Sequence, residues 1–212
     1  MIIGFCGKAG AGKSQTADFM CEKYLVHPVA FADPLRMMVA PLALMVASSQ
    51  EEAHHYLYDG KDKAMPHVTT SARQLYRDFG DAMRKYDPDV FINLTALKVN
   101  LVKQFYKRKS GDPDFDIAIV VDDIRYNNEA KFIKDKGGII IKVDRPAPEL
   151  RKVPKHSSEN GIDDKYIDFT IANDSTLYDL RQKAYSIGDM YGLAKGAMED
   201  LEKNKPEVMR VH

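Results

Sequence analysis

Eight residues near the start of the chain, Gly7-Lys8-Ala9-Gly10-Ala11-Gly12-Lys13-Ser14, match the spacing G-x-x-x-x-G-K-[ST]. The chemistry of that spacing is phosphate binding. Its glycines let backbone N–H groups curl around a phosphate chain without Cβ interference, and the N-terminus of a following helix adds partial positive charge. Lys13 would reach the β- and γ-phosphates of a nucleotide, and the Ser14 hydroxyl would bind Mg²⁺. Gly10, Ala11, Gly12 and Gln15 complete the ATP-binding set expected here. The bland alternative is a glycine-rich turn with no ligand. It fits poorly with an apolar run, Ile2 to Cys6, directly before the loop and a helix-compatible segment, Ser14 to Tyr24, directly after it.

A second group of candidates follows Ile117-Ala118-Ile119-Val120-Val121, a continuous apolar run of the kind a strand covered on both faces requires. Asp122 and Asp123 come at its end, where a carboxylate can hold a magnesium ion beside the phosphate loop, usually through water. Sequence does not separate the two. Arg125 lies near the same edge, either as a structural partner of these acids or as a phosphate clamp, the reading favoured here. Glu129 stands one helical turn further on.

The remaining arginines bear on the reaction type. A phosphate monoester is already ionised near neutral pH, its second pKa being about 6. As a nucleophile it needs no general base, only cations that bring two anions together and neutralise the transferred group. Arg36, Arg73, Arg77 and Arg84 lie in one stretch, and Arg145, Arg151, Lys152 and Lys155 cluster later. Those two groups suit an acceptor-phosphate site and a closing lid. Arg77 and Arg108 read more simply as solvated helix faces. His54-His55 has no companion ligands at metal spacing and reads as a surface pair.

These side chains must be carried by alternating strands and helices. Beyond the two runs already named, strands are expected at Val29 to Ala32, Ile139 to Val143 and Phe169 to Ala172. Helices are expected from Pro34, over 71 to 86, after Asp87-Pro88, from Asn128 to Lys136 and from Thr176. In the helix after Pro88, Phe91, Leu94, Leu97, Leu101 and Phe105 recur at three- and four-residue spacing and predict a buried stripe. Lys107 to Asp116 reads as a surface loop. Strand–helix alternation implies a parallel α/β sheet with right-handed crossovers. The stretch 34–116 is too long for a plain crossover and is expected to recognise the acceptor.

At 212 residues, the chain is expected to form one domain with an elaborated insertion. Its 31 basic and 31 acidic residues balance, which argues against a dedicated nucleic-acid surface. No apolar run approaches a membrane span, and the first residues read as strand and loop rather than a signal peptide. Two cysteines, Cys6 and Cys21, are too few for a disulfide framework and fit small buried residues in a reducing cytoplasm.

Taken together these blocks resemble the deoxynucleoside monophosphate kinases of tailed bacteriophages. The resemblance rests on the phosphate loop with its preceding Ile-x-Gly, on Phe31-Ala32-Asp33-Pro34-Leu35-Arg36, and on Arg73-Gln74-Leu75 with Gly80 and Arg84. It continues through Val121-Asp122-Asp123-Ile124-Arg125-Tyr126 with Asn128-Glu129-Ala130, Gly137-Gly138, Arg145, His156-Ser157-Ser158-Glu159 and Ile171-Ala172-Asn173-Asp174. It implies a P-loop, nucleoside monophosphate kinase-like fold: a five-stranded parallel sheet in order 2-3-1-4-5, a helical acceptor-binding insertion over 34–116 and a short basic lid over about 145–166. It implies transfer of the ATP γ-phosphate to a deoxynucleoside 5'-monophosphate with Mg²⁺. Small-molecule nucleotides are then the partners, a homodimer is possible, and the compartment is the cytoplasm, that of a host if a phage encodes the chain. Carried over residue by residue, Asp33, Arg36, Arg73, Gly80, Arg84, Arg125 and Glu129 face the acceptor. Arg145 and Arg151 belong to the lid, and Asn173 and Asp174 border the adenine. Lys13, Arg125 and Arg145 are the residues expected to act on the transferring group. Dephospho-coenzyme A kinase and the animal type of phosphomevalonate kinase share the loop and a basic lid, so another phosphate- or hydroxyl-bearing metabolite is the alternative acceptor. With a hydroxyl acceptor, Asp33 could serve as general base. A non-catalytic ATP-dependent switch is a third reading.

Overall fold

A computed structural model describes residues 1–146 and 161–196. Five strands, β1 (Ile2–Cys6), β2 (Val26–Val29), β3 (Ala118–Val121), β4 (Ile139–Asp144) and β5 (Phe169–Ala172), form one parallel sheet in the order β2-β3-β1-β4-β5. This is the expected order and the P-loop kinase-like arrangement. β1 lies at its centre, paired with β3 on one side (Ile3 with Val120) and β4 on the other (Ile3 with Ile139). Every residue of β1 and β3 is buried, which is why both read as unbroken apolar runs.

The chain divides into two compact units, one formed by Met1–Phe31 with the described residues from Thr95 on, the other by Ala32–Leu94. In the sheet unit, α1 (Lys13–Lys23) and α7 (Leu177–Met190) pack together, and Ile3, Phe5, Met20, Tyr24, Val143, Leu180 and Ala184 form its core. A Cβ at Gly188 of α7 would fall 2.2 Å from the Tyr24 ring, so glycine there admits the tyrosine. α6 (Asn127–Asp135) contributes Ala130 and Ile133 to the buried set.

The other unit holds α2 (Asp33–Val46), α3 (Gln50–Leu57), α4 (Ala72–Tyr86) and the first turn of α5 (Val90–Ser110). Val39, Ala43, Ala53, Leu57, Met65 and Ala72 make its small core. Ser49 and Ser71 cap α3 and α4, accepting the N–H of Glu52 and Gln74.

Three expectations about elements need correction. β2 runs from Val26 to Val29, not from Val29 to Ala32. Pro28 lies inside the strand, tolerated because β2 is a sheet edge. The α5 stripe is rotated. Phe91, Thr95, Val99, Val102 and Tyr106 are the buried residues, whereas Leu94, Leu97 and Leu101 are 41%, 57% and 47% exposed. Two apolar series at helical spacing share α5, and periodicity cannot say which one meets the sheet. Finally, Lys107 to Ser110 prolong α5, as good helix formers do, until Gly111 at φ 70° ends it.

Candidate active site

Leaving β1 at Cys6, the chain must clear the sheet and enter α1 at Lys13. Gly7 makes the first turn at φ 135°, where a Cβ would lie 2.3 Å from the Val143 carbonyl oxygen. That oxygen belongs to a strand and cannot yield, so only glycine fits. Gly12 ends the loop at φ 102°, and a Cβ there would meet Nδ2 of Asn173 at 2.6 Å. The Asn173 amide is buried and donates to the Ala11 carbonyl at 2.9 Å, so the residue after β5 braces the loop. Thr16, wholly buried, donates its hydroxyl to the Gly12 carbonyl at 2.9 Å and ties the loop to α1.

Charge is gathered around this loop. The Lys13 ammonium donates to the carbonyls of Gly7 at 2.8 Å and Lys8 at 3.0 Å. Arg145 donates through Nη1 to the Gly10 carbonyl at 3.4 Å. Ser14 is exposed in the first turn of α1, and Gln15 follows half-buried. Asp174, beyond Asn173, is exposed and pairs with Lys183 at 3.6 Å.

At the end of β3 the two acids part. Asp123 accepts the Phe31 N–H at 2.9 Å and joins the exits of β2 and β3. Asp122 lies toward α1 instead. The Asp18 carboxyl, one helical turn beyond Ser14, is pushed above the usual range by desolvation and then by the charges of Asp122 and Glu22. Next, Glu129 is 3% exposed and its Oε2 accepts the N–H of Arg125 at 2.8 Å and of Tyr126 at 3.1 Å. The expected acceptor contact is therefore a carboxylate committed to the backbone that carries Arg125.

Between the loop, the exit of β3 and the end of β4 lies a cavity of about 320 Å³. Lys8, Lys13, Arg125 and Lys142 line it, with Asp144 and Asp164 as its acids and Ile124, Ile162 and Ile167 as apolar wall. Cys6 lies at its base. Burial pushes that thiol up to about 11, against the opposing pull of Lys142 and Lys13. It is a neutral floor rather than a nucleophile at ordinary pH.

The helical unit holds its arginines in a different way. Arg36 pairs with Asp33 at 2.6 Å and lies 5.2 Å over the Tyr58 ring. Arg73 grips Asp62 with both Nε and Nη2. Arg84 lies 4.6 Å over the Phe91 ring, and Gly80 beside it is buried, a Cβ there falling 3.0 Å from Arg84 Nη1. Spacings of four, three and four put Arg73, Arg77, Gly80 and Arg84 on one face of α4. Arg77 departs from its expected place on a solvated face: its Nη2 is buried with no hydrogen-bond partner among the described residues. Tyr76 donates its hydroxyl to the Leu57 carbonyl at 2.8 Å, and burial pushes that phenol up to about 12.

The deoxynucleotide monophosphate kinase family model matches residues 80–184, from Gly80 through Arg125 and Arg145 to the first turns of α7. A protein of Acanthamoeba polyphaga mimivirus, described as a "Putative deoxynucleotide monophosphate kinase", is 25% identical over 194 residues, covering 89% of this chain and 96% of the viral one. Both matches point to a deoxynucleotide monophosphate kinase. Among solved structures, a sugar kinase from Janibacter sp. is 11% identical, covering 89% of this chain and 93% of its own, at a TM-score of 0.38. TT1252 from Thermus thermophilus is 17% identical over 90% of this chain and 97% of its own, also at 0.38. The fold assignment rests on the chain's own sheet order.

In this kinase the structure brings Lys13, Arg125 and the phosphate loop to one cavity, and Arg145 and Asn173 to the loop's carbonyls. Arg151, with Lys152, Lys155 and the His156–Glu159 block, lies outside the described residues. Lys142 was missed. It stands in an apolar strand, and its only signal is a charge interrupting Ile139 to Val143 one residue before the buried Val143.

Proposed function

We propose that this deoxynucleotide monophosphate kinase works by direct in-line transfer of the ATP γ-phosphate to the 5'-phosphate of a deoxynucleoside monophosphate, without a general base. The observation that carries this reading is the cavity. Four cations, Lys8, Lys13, Arg125 and Lys142, share it beside a phosphate loop, whereas its acids, Asp144 and Asp164, number two and Asp164 is turned largely to solvent. An ionised acceptor oxygen attacks Pγ, the bond from Pγ to the bridging oxygen breaks, and ADP leaves with that electron pair. No proton has to move at the nucleophile, because the acceptor is already ionised near neutral pH, with a second pKa of about 6. What the protein supplies is position and positive charge.

Within this reading, Gly10, Ala11, Gly12 and Gln15 hold the polyphosphate with Lys13, and Asn173 keeps the loop's shape. Arg125 clamps the acceptor phosphate, with Glu129 fixing the backbone it springs from, and Arg145 neutralises charge on the transferring group. Asp33, Arg36, Arg73, Gly80 and Arg84 serve acceptor recognition. Ser14 and Asp122 would hold Mg²⁺: the ion prefers one or two carboxylates and keeps its remaining positions for water and phosphate oxygens. An exposed hydroxyl in the first turn of α1 with one carboxylate toward the same helix suits that demand. Magnesium supplies charge neutralisation across the β- and γ-phosphates when bound. Asp123, with one carboxylate oxygen already accepting the Phe31 amide, is the less favoured of the two acids for that role.

ADP release measured over a panel of deoxynucleoside and ribonucleoside monophosphates, dephospho-coenzyme A and phosphomevalonate tests the reading. Turnover with at least one deoxynucleoside monophosphate and none with the two other metabolites is expected. Stimulation by dephospho-coenzyme A or phosphomevalonate alone would overturn it.

A further inference from the structure

Lys142 occupies an unusual place for a lysine. Its neighbours in β4, Ile141 and Val143, are buried in the core shared with α1 and α7. Strand alternation sends Lys142 to the opposite face. There it pairs in register with Cys6, the last residue before the phosphate loop. Its side chain thus runs beside the loop's first turn and lines the same cavity as Lys13 and Arg125. Its one ion pair among the described residues is with Asp164, at 3.9 Å, and Asp164 is 91% exposed. A pair that long and that wet holds its lysine weakly. A doubly charged phosphate makes shorter, charge-assisted hydrogen bonds, and the flexible lysine stem lets the ammonium change partners.

We propose that Lys142 is a phosphate-binding residue of this kinase, exchanging its loose pairing with Asp164 for an oxygen of a substrate phosphate. The inference rests on the kinase reading above and deepens it. The phosphate comes from ATP or from the acceptor, and the two sources are separable by experiment.

Inorganic tripolyphosphate, titrated calorimetrically at low salt into wild-type protein and into K142M, K142R and D164N, reads binding without turnover. We expect K142M to weaken binding about tenfold or more, K142R to retain most of it, and D164N, which removes the competing acid, to tighten it about twofold. Steady-state kinetics with each substrate varied in turn then identify the source. A KM raised for ATP assigns the donor phosphate, and one raised for the deoxynucleoside monophosphate assigns the acceptor. Tripolyphosphate affinity of K142M within twofold of wild type would overturn the proposal. Should K142M fail to fold, D164N decides alone, tighter binding supporting the exchange and unchanged binding refuting it. A wild-type protein that binds tripolyphosphate but phosphorylates no deoxynucleoside monophosphate would sink the acceptor reading and leave Lys142 to be judged by calorimetry.

Discussion

The phosphate loop and the helical unit hold the cations set against them in different ways. Around the phosphate loop, cations lean on backbone oxygens: Lys13 on Gly7 and Lys8, Arg145 on Gly10. In the helical unit they lean on side chains: Arg36 on Asp33 and Tyr58, Arg73 on Asp62, Arg84 on Phe91. A carbonyl is a neutral acceptor that a phosphate can replace at little cost. An acid or a stacked ring fixes a guanidinium in direction as well as in charge. The first arrangement suits a polyphosphate that every nucleotide shares. The second suits a partner whose shape must be read.

That contrast predicts a hierarchy of effects. The largest should come from K13A. Losing a cation that acts on the transferring group costs about 10²-fold or more in kcat, while the melting temperature holds, since Lys13 contributes charge and not core. Near wild-type turnover would mean that the loop's chemistry has been misread. Next in size, D122N and D123N should separate. D122N is expected to raise the Mg²⁺ concentration needed for half-maximal rate about tenfold, and D123N to change it little, because its amide oxygen can still accept from Phe31. Equal Mg²⁺ titrations for the two variants would erase the distinction between these neighbours.

Lysine substitution sharpens the contrast between units. R125K and R36K keep the charge but lose the two-pronged donor, so each should raise the acceptor KM by about five- to tenfold with ATP affinity nearly constant. If both weakened only ATP binding, the helical unit would have no claim to the acceptor. The last prediction concerns stability rather than catalysis and lies with Cys6. Its thiol pKa is raised to about 11 from 9.0, so the folded protein holds that proton more tightly than the unfolded chain. Stability from this source is present below pH 9 and is lost as pH rises toward 11. The loss is on the order of 2 kcal/mol at its greatest. Thermal melts of wild type and Cys6→Ala across that range should converge at high pH, and parallel curves would contradict the burial argument.

Much of the sheet unit was legible because its residues are constrained by backbone geometry. Glycines at Gly7 and Gly12 are required by turns that admit no Cβ, and β1 and β3 are apolar on both faces because each is covered on both. Such demands write themselves into residue type and spacing, so the loop and its flanking elements followed from the chain alone, whereas the strand order came from the resemblance to the phage kinases. The helical unit was less readable. Arg77 and Arg73 look alike in sequence, yet one buries a donor that has no hydrogen-bond partner among the described residues and the other grips Asp62. Glu129 looked like a ligand and serves as a cap.

Residue types and their order were enough for the phosphate loop and the parallel sheet, since each depends on local covalent geometry or on a burial pattern that repeats along the chain, and the kinase family was legible as a resemblance of sequence blocks. Which α5 face meets the core, which of Asp122 and Asp123 turns toward α1, and that Lys142 stands beside Lys13 depend on how elements distant in sequence rotate and register against one another. A lysine inside an apolar strand has no meaning until the strand beside it is known. β1 is that strand, separated from β4 by more than a hundred residues of chain, and only their parallel pairing sets the Lys142 ammonium at the mouth of the loop.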